Sequence, residues 1–172
     1  MEQARAGLKQ TSPGRKAAMP RLCPLDAINL GVMMDEKLDT LRKYFEDHPD
    51  LGVASAYLFG SHAEGRAHRE SDVDVGVLLQ WDRYPTSRDR FAMRIRMGSD
   101  LISVVRCNEV DVVILNDAPP LLGRKIIQDG IRVFRGDPEA DHTYVRDIQI
   151  LAADLEPWLA RLRKLRLEAL AR

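Results

Sequence analysis

"FGSHAEGRAHRESDVDVGVLL" (residues 59–79) closes one apolar run, turns on two small residues, and sets Asp72 and Asp74 at the head of the next run. Carboxylates are among the residues that strands disfavour, so two of them interleaved with valines require compensation. Side chains two apart on a strand point the same way. Asp72 and Asp74 therefore share one face, while Val73 and Val75 enter the core on the other.

The chain on either side alternates helix and strand patterns. "AINLGVMMDEKLDTLRKYFE" (27–46) spaces Ile28, Met33, Met34, Leu38, Leu41 and Phe45 for a helix with one buried stripe, ended before Pro49. "VASAYLF" (53–59) reads as a buried strand stopped by Gly60, residues 62–70 as a short helix or turn, and "VDVGVLL" (73–79) as a second strand. "TSRDRFAMRIRMGSDLISVVR" (86–106) opens on the cap residues Thr86 and Ser87 and brings Phe91, Ile95, Leu101, Ile102 and Val105 roughly onto one helical face. "EVDVVIL" (109–115) is the third strand. After Pro119–Pro120, "LLGRKIIQDG" predicts a helix closing at Gly130, followed by an edge strand, "IRVF" (131–134). From about Thr143 to Arg172 the leucines again recur with helical spacing, and Pro157 marks a kink or a new start. This order predicts an α/β (α+β) domain: a small mixed β-sheet of about four strands with packed helices and a C-terminal helix. The expected division is a disordered arm over 1–25, the domain over 26–140 and a helical extension over 141–172.

The 172 residues carry 26 basic and 26 acidic side chains, a formal charge of zero. That argues against a broad cationic surface of the kind that holds nucleic acid by counterion release and leaves room for a local basic patch; no direct nucleic-acid binding is expected. No apolar run is long enough to span a bilayer. The first 26 residues lack the continuous apolar stretch of a secretory signal. Cys23 and Cys107 lack metal-ligand spacing and read as reduced thiols, which points to the cytoplasm.

Asp111 projects from the third strand among Val110, Val112 and Ile114. If the second and third strands are neighbours in register, three carboxylates converge and repel unless a cation neutralises them. Mg²⁺ is the natural compensation, because it binds one or two carboxylates and completes its shell with water and substrate phosphates. Two such ions, roughly 4 Å apart, clamp the attacking and leaving oxygens of a phosphoryl displacement. Gly60 lets backbone approach a ligand, and Ser61 offers a hydroxyl and an amide beside it. Each feature alone has an ordinary structural explanation: a turn, an Asx turn at Ser71–Asp72, an edge-strand charge at Asp111. Their combination is what points to chemistry. His62 and His68 read as exposed loop histidines, and Tyr57, Tyr84 and Tyr144 as packing or surface groups.

"GSHAEGRAHRESDVDVGVLL" followed by "EVDVVIL" resembles the Gly-Ser, Asp-x-Asp and distal-Asp pattern of the polymerase-beta-like nucleotidyltransferases. More narrowly, "NDAPPLLGRKIIQDGIRVFRGD" and "YVRDIQILAADLEPWLARLRK" are similar to the minimal nucleotidyltransferases paired with HEPN toxins, and the likeness covers roughly residues 53–165. The resemblance implies that Gly60 and Ser61, with Ser71 and Arg66, hold the nucleoside triphosphate. It implies that Asp72 and Asp74 bind both Mg²⁺ ions, and that Asp111 binds one and helps deprotonate the attacking hydroxyl. The reaction so implied moves AMP from ATP to a tyrosine hydroxyl of a HEPN-type ribonuclease toxin and silences it, in a hetero-oligomer. His62 and Glu64 stand where that pattern often has arginines; Arg66 or Arg69 are the candidates to replace them. Two alternatives stay open: transfer to a small hydroxyl compound or an RNA end, and a non-catalytic antitoxin that binds its toxin by occlusion.

Overall fold

A computed structural model describes residues 24–68, 71–106 and 109–170, with side chains from Asp35 onward. The arm expected over 1–25 falls almost wholly outside the described residues, as do Arg69 and both cysteines; the side chains of Ile28, Met33 and Met34 are likewise not described. Helix α1 spans Pro24–Asp47, and β1 (Val53–Phe59) runs straight into a four-residue helix, α2 (Gly60–Ala63). Then come β2 (Val73–Leu79), α3 (Ser87–Val105), β3 (Val110–Ile114), α4 (Pro120–Asp129), β4 (Ile131–Arg135) and α5 (Pro138–Leu170). Among the described residues the strands form one mixed sheet in the order β3-β2-β1-β4. Only β2 and β3 are parallel; β1 is antiparallel to both β2 and β4. The expected fold class holds.

Helices cover both faces of the sheet, which is why β1 and β2 read as nearly continuous apolar runs. On one face Val73, Val75, Val77 and Leu79 meet Leu41 and Phe45 of α1 and Met97 and Leu101 of α3. On the other, Tyr57 and Leu78 meet Ile126 of α4, with Tyr144 of α5 packed against them. Gly76 belongs to this second face. A Cβ there would lie 2.8 Å from Ile126 Cγ2, so the missing side chain is what lets α4 seat on β2.

The buried row of α3 differs from the expected one. Phe91 and Ile95 are 59% and 56% exposed and Ile102 also faces out, whereas Arg90, Met93, Met97 and Leu101 are buried. The buried row is turned around the helix from the expected one and shares only Leu101 with it, and Arg90 completes it because its charge is met. It donates Nε to Asp117 Oδ2 at 2.8 Å, Nη2 to Asp117 Oδ1 at 2.6 Å and Nη1 to the Tyr84 carbonyl at 2.9 Å. Such a bidentate, fully partnered guanidinium is tolerated where a lone one is not.

Helix α5 begins at Pro138, ahead of the expected Thr143. Asp137 Oδ1 accepts the amides of Glu139 and Ala140 at 3.1 and 3.0 Å, an N-cap followed by proline at the first helical position. Pro157 lies inside this one helix instead of starting another. The early start seats Asp141 in the core, where it accepts the Tyr57 hydroxyl at 2.6 Å and lies 3.0 Å from Arg135 Nε. Asp141→Asn keeps the shape but strips the charge from a buried, partnered acceptor. A loss of about 2 kcal/mol is expected from the lost charge in the bond from Tyr57 and in the pairing with Arg132 and Arg135, measurable by urea unfolding.

Candidate active site

In the parallel pair of β2 and β3, Asp74 sits opposite Asp111 and Val73 opposite Val110. The two carboxylates thus leave the same face of adjacent strands, the face that carries α4. Asp72 is exposed one residue ahead of β2. From the other side, Phe59 pairs with Asp74, which delivers Gly60 directly to that carboxylate. Gly60 has φ +70°, and a Cβ on it would lie 2.9 Å from Asp74 Cγ and closer still to Oδ2. Only glycine meets both demands: a left-handed backbone and no side chain.

The acidic groups sense one another. Burial raises the Asp74 pKa above the ordinary carboxylate value, and the charges of Asp111 and then Asp72 push it further. Asp111 has a counterion: Arg94 Nη2 lies 3.2 Å from its Oδ1, carried by α3 around the edge of β3. Among the described residues no group of three His, Cys, Asp or Glu side chains stands close enough to hold a metal ion. Strand register therefore juxtaposes Asp74 and Asp111, but the carboxyl oxygens are not gathered into a ready cage. The donor set is nonetheless right for a hard cation, since it is all carboxylate oxygen; the Asp74 pKa, raised first by burial, is raised further by the two neighbouring carboxylates, a part that a cation relieves.

The loop between α2 and β2 is closed by its own bonds. The Arg66 amide donates to the Ser61 carbonyl at 3.0 Å, and the Glu64 amide to the Gly60 carbonyl at 3.1 Å. Ser71 uses its hydroxyl within the loop, accepting the His68 amide at 2.7 Å. Arg66 is ion-paired with Glu64, which also faces Lys125 Nζ of α4 at 3.9 Å. His62 is not an exposed loop residue: it is only 5% accessible, because α2 folds it inward. Its Nε2 lies 3.3 Å from both Lys37 Nζ and the Ser71 carbonyl. Burial lowers its pKa, Lys37 adds to that, and the Ser71 carbonyl opposes it. The three tyrosines hydrogen-bond internally, Tyr57 to Asp141, Tyr84 to the Leu51 carbonyl and Tyr144 to the Leu115 carbonyl. Arg94 and Lys125 were not foreseen; nothing in the helices that carry them sets them apart from ordinary surface cations.

A profile of the family described as "Polymerase beta, Nucleotidyltransferase" matches residues 39–139. Over 78 residues the chain is 31% identical to the protein adenylyltransferase MntA of Shewanella oneidensis, covering 45% of this chain and 51% of that protein. The chain thus spans about half the length of the curated relative it matches. A solved toxin–antitoxin structure with AMP-PNP is similar with a TM-score of 0.57 at 24% identity, covering 78% of this chain and 98% of that one. The tri-AMPylated Shewanella oneidensis HEPN toxin in complex with MNT antitoxin gives 0.50 at 19% identity, covering 83% and 99%. At these identities the structures speak for the fold alone. Among the described residues no helix is long and apolar enough to cross a membrane.

Proposed function

The chain belongs to the polymerase beta nucleotidyltransferase family, and from that premise we propose that it transfers AMP from ATP to a tyrosine hydroxyl of a partner HEPN ribonuclease toxin, acting as its antitoxin. The single observation that carries the chemistry is the register of Asp74 against Asp111 beside Gly60. The partner is supported by the relative named as a protein adenylyltransferase and by likeness to an MNT antitoxin held by an AMPylated HEPN toxin. The nucleotide is supported by the toxin–antitoxin structure with AMP-PNP.

In this reading Gly60 and Ser61 receive the triphosphate, and Arg66 adds a cation once released from Glu64; Ser71 keeps the loop ahead of Asp72 in shape. Asp72, Asp74 and Asp111 would hold Mg²⁺, two ions as the family's pattern implies. When bound, Mg²⁺ supplies charge neutralisation for carboxylates and phosphates and polarises the α-phosphoryl group. Asp111, on the edge strand, faces the incoming phenol and takes its proton. The tyrosine oxygen bonds to the α-phosphorus, the α–β anhydride bond breaks and pyrophosphate leaves.

Incubation with α-labelled ATP, Mg²⁺ and the toxin tests this. Label on a toxin tyrosine, lost with Asp72→Asn plus Asp74→Asn, is the expected result. A second reading, silencing by occlusion alone, draws on Glu64 standing where the family often has an arginine. Full neutralisation by the double variant without label selects that reading. Label on a small hydroxyl compound or RNA in place of the toxin replaces the protein substrate.

A further inference from the structure

Helix α5 is 33 residues long, about 50 Å at 1.5 Å per residue, yet only its first half packs on the domain. Ile148 and Ala152 are buried, and Ile148 with Tyr144 fills the space over Gly123 of α4. An ion pair of Arg124 with Glu156, at 2.5 Å, ties the middle of α5 to α4. Beyond it the apolar residues do not stop. Ile148, Leu151, Leu155, Trp158, Leu162 and Leu165 are spaced 3, 4, 3, 4, 3, the a/d repeat of a coiled-coil seam. Its distal part is open among the described residues, with Trp158 56% and Leu165 55% exposed. Pro157 falls on position c, so its ring lies outside the seam.

The flanks say what kind of helix fits. In a parallel pair of two copies, position g of one copy faces position e of the next heptad in the other, which opposes Arg161 to Arg166. In an antiparallel pair confined to the open part, g faces g: Arg161 meets Arg161, and Asp154 meets Glu168. Both self-pairings set like charges against each other. Residues 159–170 carry Arg161, Arg163, Lys164 and Arg166 against the single acid Glu168, in a chain of zero formal charge.

We infer that the distal half of α5 is a docking seam for a helix of a partner protein, one with apolar residues at its own a and d positions and acidic residues flanking them. The seam lies on a helix separate from the carboxylate site, so it holds the partner without taking part in transfer. The inference rests on the proposed function only in taking the partner to be a protein.

The test uses the full chain and a fluorescent three-heptad helical peptide with Leu at a and d and Glu at e and g. Anisotropy is expected to show it binding at least tenfold more tightly than the same peptide with Lys at e and g. Leu162→Gln is expected to weaken binding at least tenfold, with unchanged circular dichroism. Arg161→Glu with Arg166→Glu is expected to reverse the preference between the two peptides. Equal binding of both peptides, or no effect of Leu162→Gln, overturns the inference. So does a dimer in sedimentation that Leu162→Gln dissolves, because the occupant is then a second copy. Asp72→Asn is expected to bind the acidic peptide as the parent chain does, which separates a failure of docking from a failure of transfer.

Discussion

Asp74→Asn is expected to lower AMP transfer by at least about a thousandfold while raising the melting temperature slightly at neutral pH. The loss follows from removing one carboxylate of a cation-dependent displacement, worth several kcal/mol of transition-state charge stabilisation, at about 1.4 kcal/mol per factor of ten. The gain follows from the sign of the Asp74 shift. Its pKa in the folded chain is raised, first by burial and then by Asp111 and Asp72. A carboxyl so raised binds its proton more readily folded than unfolded. Its contribution to stability is fully present below the unfolded pKa and is lost as pH rises through the folded one. At neutral pH the ionised group therefore works against the fold, by under about 1 kcal/mol because solvent screens a partly open site. Asparagine keeps the shape and removes that repulsion. The melting-point advantage should shrink as the pH falls into the carboxylate range and vanish below it. Undiminished transfer by this variant removes Asp74 from the chemistry. A melting point lowered at neutral pH removes the like-charge argument.

Much of the fold was legible because its central strands are locally simple. β1 and β2 occupy the residues where apolar runs stop at Gly60 and start after Asp72, and alternation alone set Asp74 on a face apart from Val73 and Val75. The parallel register of β2 and β3 was not legible, since it depends on a helical crossover of about thirty residues, yet the site depends on it. Periodicity also failed where a charge was made buriable from afar. Arg90 reads as surface until Asp117, 27 residues on, closes a bidentate pair with it. Asp141, ahead of the expected helix start, carries no sign of burial until Tyr57, 84 residues back, donates to it. The inward turn of His62 and the pairing of Arg94 with Asp111 belong to the same kind. Spacing reports which positions share a face; it does not report which distant partner makes a polar residue acceptable there.

Gly60→Ala is expected to cost about 2–5 kcal/mol, from about 1–2 for a left-handed alanine and about 1–3 for overlap with a packed group. In a chain of this size that corresponds to a fall in melting temperature of roughly 5–15 °C. Transfer should fall with it, because the overlap lies at the Asp74 carboxylate and relief requires that group to move. The two contributions separate in a double-mutant cycle. With Asp74→Ala the Cγ at 2.9 Å and the Oδ2 beyond it are gone, leaving only Asp74 Cβ at 3.4 Å, close to ordinary contact. Gly60→Ala in that background should therefore cost only the backbone strain, and the cycle should return a coupling of at least about 1 kcal/mol between residues that touch. An equal cost in both backgrounds means the carboxylate does not press on residue 60. The close approach of Gly60 to Asp74, on which nucleotide and cation are proposed to meet, would then be absent from the protein in solution.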